Sequence, residues 1–162
     1  MIKSIRHMSI FQASKYIETI PEHEKNSTIL ISIREPSVDF NTDTFPYDNL
    51  LLDNYLILQF DDVSDSEINN IEQGMFKYTY KLFNEKMANE ISEFVGNFNG
   101  SPDKYDLIIH CHAGVSRSVA IYMVLSDALG LPYNKNYIMH NKLVYNTLYK
   151  KINGKELYGY DK

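Results

Sequence analysis

Tryptophan is absent from this 162-residue chain, cysteine occurs once, and the sequence contains no long apolar run. A single Cys excludes an internal disulfide and fits a reducing compartment. Lys3 and Arg6 are not followed by a continuous apolar stretch, because Ser9, Gln12, Ser14 and Lys15 interrupt it, so a signal peptide is not indicated. Nothing elsewhere is apolar for the length of a membrane span, and the expectation is a cytoplasmic protein without a membrane partner. Positive charge is in short supply as well: 16 Lys and Arg against 21 Asp and Glu leave a formal net charge of -5. That balance argues against non-specific binding to nucleic acid, although a local basic pocket can still take an anion. Repeats and low-complexity linkers are lacking too. The length is that of one domain with a sizeable core, expected over residues 1–152, with 153–162 as a poorly ordered tail.

What is present reads as alternating strands and helices. Met8 to Phe11 suggests a short first strand, with a helix near Ser14 to Ile20 that ends before Pro21. Thr28 to Ile33 (TILISI) is rich in β-branched residues and bounded by polar turn residues. Residues 35–49, with Pro36 and Pro46, have loop chemistry. Tyr55 to Phe60 (YLILQF) is a further strand, stopped by Asp61 and Asp62. From Ser64 to Phe98 the pattern turns helical: Ser64 and Glu67 resemble a capping box, and Gly74 divides the region into two helices. Asp106 to Cys111 (DLIIHC) is the next strand, and helices follow over Ser116 to Leu129 and Tyr133 to Ile152. The pattern predicts an α/β fold, a mostly parallel central sheet flanked by helices on both faces. Ligands of such folds bind beyond the carboxyl ends of the strands, where Asp61-Asp62 and the loop after Cys111 both fall.

The segment His110-Cys111-His112-Ala113-Gly114-Val115-Ser116-Arg117-Ser118 carries the chemistry. A buried strand ends at Cys111, a loop of small residues follows, and an apolar helix begins near Arg117. Backbone N–H groups of such a loop can curl around one centre while the helix N-terminus points its positive end there, which makes an anion site from backbone. Gly114 permits close approach, and Ala113 and Ser116 are too small to block it. Arg117 adds a planar fork able to hold two oxygens of a phosphoryl group. The same positive field favours the thiolate of Cys111. A metal site built from His110, Cys111 and His112 is disfavoured, since neighbours on a strand point to opposite faces; no metal or other cofactor is expected. The plain alternative is a buried Cys at a strand end followed by an ordinary turn.

HCHAGVSRS is similar to the signature of the cysteine-based protein tyrosine phosphatase superfamily, and its Gly-x-Ser-Arg-Ser ending most resembles the dual-specificity phosphatases. The resemblance implies that Cys111 attacks phosphorus and forms a phosphocysteine, which water then hydrolyses. It also implies that residues Cys111, His112, Ala113, Gly114, Val115, Ser116 and Arg117 cradle the phosphate. Ser118 matches the position whose hydroxyl stabilises the departing thiolate, and His110 one that tunes loop and thiol. Breaking a phosphoester further requires a proton for the leaving oxygen. In the dual-specificity branch a similar strand ends in an aromatic or aliphatic residue, then one variable position, then the acid. Phe60-Asp61-Asp62 matches with Asp62 as the acid; Asp61, Asp65, or a pair that merely caps the strand are the alternatives. Two adjacent carboxylates disfavour double ionisation.

The stretch from Asp62 to Cys111 is longer than in most compact dual-specificity phosphatases. Its MFKYTYKLF segment is either a cover over the site or, more in keeping with its composition, core. Arg34 ends its strand on the same edge and can contact substrate or pair with Glu35 or Asp39. Asn141 resembles an Asn late in the dual-specificity fold that makes structural hydrogen bonds, and Tyr158 and Tyr160 have no assigned role. Without Trp the chain lacks the Trp-Pro-Asp acid loop of the large tyrosine phosphatases, and its signature loop lacks the basic residues of the phosphoinositide phosphatases. The family therefore implies a phosphoprotein or phosphopeptide partner, phosphotyrosine first and phosphoserine or phosphothreonine as well. The competing readings are a phosphatase of a nucleotide, an RNA 5′ end or an inositol phosphate, and an inactive phosphate-binding module. Oligomeric state is not legible.

Overall fold

The computed structural model describes residues 1–37, 52–74, 79–137 and 139–154. Strands β1 (Ile2–Ser9), β2 (Thr28–Arg34), β3 (Tyr55–Gln59) and β4 (Tyr105–Cys111) form one all-parallel sheet in the order β1-β4-β2-β3. Helices α1 (Ile10–Thr19), α2 (Glu22–Lys25), α3 (Asp65–Glu72), α4 (Glu85–Asn99), α5 (Arg117–Leu129) and α6 (Lys142–Asn153) complete it. The α/β class expected from the sequence is the one that forms. Parallel neighbours require long crossovers, and those crossovers place helices on the sheet faces.

Alternation along the strands divides the core in two. Ile29, Ile31 and Ile33 of β2, with Leu107 and Ile109 of β4, join the cluster that contains Ile91 of α4, Leu125 of α5 and Leu148 of α6. Leu30 and Ile108 join the smaller cluster with Ile10, Ala13 and Ile17 of α1. Each such fully buried side chain contributes about 1.5–3 kcal/mol over its exposed state. The sheet is thus anchored at β2 and β4, and the loop after β4 starts from a fully buried strand end. Among the described residues no helix is long and apolar enough to cross a membrane.

Several boundaries differ from expectation. The first strand is Ile2–Ser9 rather than Met8 to Phe11, and Ser9 and Gln12 form a capping box that starts α1 at Ile10. The last helix begins at Lys142, not Tyr133, because the Asn141 side chain accepts from the Val144 amide and sets the N-terminus there. It also extends to Asn153, which removes that residue from the expected tail. Ser64 and Glu67 do form a capping box, and α3 and α4 are indeed separate. Residues 79–84 between them are not helical. Residues 38–51, most of the expected loop, lie outside the described residues, as do 75–78 and 155–162.

Candidate active site

Cys111 ends β4, buried, beside Ser9 at the end of β1. Its Sγ accepts a hydrogen bond from the Gly114 amide at 3.2 Å and shares one with Ser118 Oγ at 3.1 Å. The loop between Cys111 and α5 therefore curls back over the sulfur. Gly114 has φ +76°, and a Cβ there would stand 2.4 Å from the Ser9 nitrogen and 2.5 Å from the Met8 carbonyl carbon. Only glycine fits, for two reasons at once: a left-handed backbone and contact with the main chain of β1.

The outer side of the loop is tied to four elements, β1, α1, α5 and the start of α6. The Ile10 amide donates to the His112 carbonyl at 3.2 Å, and the Ala120 and Asn141 amides donate to the Ser116 carbonyl at 3.0 and 3.3 Å. The ring of His7 bonds the Gly114 carbonyl through Nδ1 at 3.0 Å. Ser116 precedes α5 without capping it; its hydroxyl donates instead to Asp62 Oδ1 at 2.8 Å. The first-turn amides of α5 are thus not satisfied by that side chain, which suits an anion at the helix end.

Arg117, 3% exposed, is held from behind. Its Nη1 donates to the Phe60 carbonyl at 2.8 Å and its Nη2 to Glu35 Oε1, while Nε lies 3.8 Å from Asp62 Oδ2 with no hydrogen-bond partner among the described residues. A guanidinium has five N–H donors, so Nε–H and one hydrogen on each Nη remain after these bonds. The ends of β2, β3 and β4 are in this way stitched together by one side chain.

The two aspartates part company. Asp61 bonds Lys81 twice, its carboxylate accepting from the Lys81 amide at 2.7 Å and its amide donating to the Lys81 carbonyl at 2.8 Å. Asp62 turns to the loop: Oδ1 accepts from Ser116 Oγ and from Asn141 Nδ2, both at 2.8 Å. Asn141 also donates to the Val63 carbonyl at 3.1 Å, so it binds the carboxylate's own segment to the start of α6. Asp65 pairs with Lys142 at 3.1 Å. A cleft of about 540 Å³ runs past these groups and includes Asp62, Asp65, Glu67, Val115, Met139 and Lys142 in its lining. A larger groove of about 780 Å³ along α4 and α6 shares no lining residue with it.

His110 is fully buried, with Nε2 2.7 Å from Ser32 Oγ, whereas His112 is exposed. Burial pushes the His110 pKa down to about 4, a backbone contact with Cys111 opposes the shift, and the charges of Arg34 and Arg117 reinforce it. The ring is neutral near pH 7, and its Nδ1 has no partner in hydrogen-bond geometry among the described residues. Arg34 directs Nε to Ser32 Oγ at 2.9 Å, which gives β2 and β4 a shared polar node beneath the loop.

The structure thus joins Cys111 to Gly114 and Ser118 through the sulfur, brings Asp62 to Ser116 and Arg117, and leaves Asp61 turned to Lys81. Sequence reasoning missed Glu35 as the partner of Arg117 and gave His7 no role. Glu35 follows the TILISI strand on the edge where the loop was expected, so its position held the clue. His7 offered none. No protein-family model, no curated protein and no solved structure matches this chain.

Proposed function

We propose that the protein is a cysteine-dependent phosphatase of phosphomonoesters, with phosphotyrosine in proteins or peptides as its first substrate and a reducing cytoplasm as its setting. One observation carries the reading: the Cys111 sulfur accepts from the Gly114 amide of its own loop, and Arg117, at the far end of that loop, holds Nε 3.8 Å from Asp62 Oδ2. The loop amides and Arg117 hold the nonbridging oxygens, and the Cys111 thiolate attacks phosphorus as the bond to the leaving oxygen breaks. Asp62 supplies the proton that oxygen needs. Since Oδ1 already accepts two hydrogen bonds, which occupy both its lone pairs, the transferable proton resides on Oδ2. In the second step Asp62 takes a proton from water as it attacks the phosphocysteine, and the Ser118 hydroxyl stabilises the departing thiolate.

The cleft lining supports a singly phosphorylated partner. It presents Asp62, Asp65 and Glu67 against one lysine, Lys142, already paired with Asp65. A polyphosphate, an RNA 5′ end or an inositol polyphosphate meets like charge there, whereas a lone phosphoryl group on a peptide reaches past it. The test is hydrolysis of para-nitrophenyl phosphate by the wild type and by Cys111→Ser. Turnover should vanish in the variant while tungstate still binds, because the amides and Arg117 remain. Full activity of Cys111→Ser would eliminate the covalent mechanism, and a wild type that binds tungstate without turnover would favour the phosphate-binding module.

A further inference from the structure

A cradle made of backbone works only if its peptide planes are oriented. In a trans peptide the C=O of one residue and the N–H of the next point in opposite directions, so an outward carbonyl at position 112, 114 or 116 turns the amide of 113, 115 or 117 inward. Each of these three carbonyls has a partner outside the loop. Backbone amides hold the first and third, and those contacts follow from the placement of α1, α5 and α6. The second is held by a side chain, the imidazole of His7.

The tautomer of the neutral ring is set by its two neighbours. A carbonyl only accepts, so the Nδ1 that lies 3.0 Å from the Gly114 oxygen carries the hydrogen. In the neutral ring Nε2 is then an acceptor, and the Tyr137 hydroxyl 2.9 Å away donates to it. Tyr137 meets the ring edge-on with centroids 5.1 Å apart, and Tyr122 packs at 4.8 Å, so tilt and tautomer are both set. His7 itself pairs with Ile109 in the sheet, two residues before the nucleophile, which gives the ring a rigid base.

We propose that His7 is a positioning residue: its Nδ1–H, in the tautomer enforced by Tyr137, holds the 114–115 peptide so that the Val115 amide faces a bound oxyanion. The inference rests on the reading of the Cys111 loop as a phosphate site. Asparagine places an N–H donor near the position of Nδ1, glutamine near that of Nε2, and leucine offers none.

The experiment measures tungstate affinity by calorimetry and para-nitrophenyl phosphate kinetics for wild type, His7→Asn, His7→Gln, His7→Leu and Tyr137→Phe, with melting curves for each. His7→Asn should stay within about threefold of wild type. His7→Gln and His7→Leu should lose about tenfold in tungstate affinity and in kcat/KM, the worth of one hydrogen bond. Tyr137→Phe should fall between them, since the ring then exchanges tautomers. Should His7→Leu fail to fold, the contrast between Asn and Gln carries the test. A purely structural role would lower melting temperature without separating Asn from Gln, and that result would overturn the proposal. Equal affinity in all variants overturns it as well, with the phosphatase reading left standing. A wild type that neither binds tungstate nor turns over overturns both.

Discussion

Gly114→Ala is the substitution whose effect the geometry specifies most sharply. The new methyl carbon would meet three main-chain atoms of β1: the Ser9 nitrogen at 2.4 Å, the Met8 carbonyl carbon at 2.5 Å and the Met8 oxygen at 2.8 Å. Ordinary contact begins at 3.4 Å, so the loop or the strand end must move by about 1 Å. Neither is free to do so, because Ser9 pairs with Cys111 in the sheet. A left-handed backbone without glycine costs roughly 1–2 kcal/mol, and overpacking adds typically 1–3 kcal/mol. The sum, about 2–5 kcal/mol, corresponds to a melting temperature lower by roughly 10 °C for a domain of this size. Activity should suffer more than stability, since a misplacement of about 1 Å in a catalytic constellation can cost on the order of a hundredfold. Gly96→Ala is the control: the position lies in α4 with nothing within 4 Å of the added carbon, and alanine should stabilise the exposed helix by about 1 kcal/mol. Thermal melts and para-nitrophenyl phosphate kinetics for both variants settle it. Wild-type melting and kcat/KM in Gly114→Ala would refute the account of the loop as pressed against β1.

Further outcomes separate the aspartates and read the buried histidine. Asp62→Asn should slow hydrolysis of phosphopeptides by about a hundredfold or more while sparing aryl esters with good leaving groups, and it should flatten the basic limb of the pH–rate profile. Asp61→Asn should leave the leaving-group dependence intact and instead lower melting temperature, because Asp61 holds the Lys81 segment; the reverse pattern would move the acid by one residue. Between about pH 4 and 6.5 the unfolded chain binds a proton that folded His110 refuses, so stability is complete above 6.5 and falls as pH drops through that window. The contribution is on the order of 3 kcal/mol, and His110→Gln should flatten the slope measured by urea unfolding. An unchanged slope would mean that His110 charges without penalty in the folded protein.

What the sequence made legible follows how local each signal is. β2 and β4 are runs of mostly apolar residues, largely buried on both faces, and β3, although partly exposed at the sheet edge, keeps the continuous apolar run YLIL, so all three stand out from their turns. β1 lies at the sheet edge and intersperses Lys3, Ser4, Arg6 and His7 among its apolar residues, so its pattern is faint and it was placed too late. The helix expected from Tyr133 starts later because one side chain, Asn141, fixes its first residue at Lys142, well beyond Pro132, a matter of capping rather than of periodicity. The loop after Cys111 is legible because strand, small residues, Arg and helix are contiguous. Its supports are not: Glu35 reaches Arg117 and His7 reaches Gly114 only once the sheet has brought distant segments side by side. Asp62 faces Ser116 and Asn141 while Lys81 claims Asp61, a division that sequence pattern alone does not reveal.

The sheet order also has a consequence for how the chain is made. β1 is made before the other three strands, yet its neighbour is β4, and Ile5 waits roughly a hundred residues for Leu107. At about 5–20 residues per second that is a delay of roughly 5–20 s, during which β1 has no strand beside it and β2 exposes one apolar edge. An edge of that kind is a template for pairing with other chains. A product truncated before residue 105 would accordingly leave that edge of β2 uncovered and be prone to aggregate.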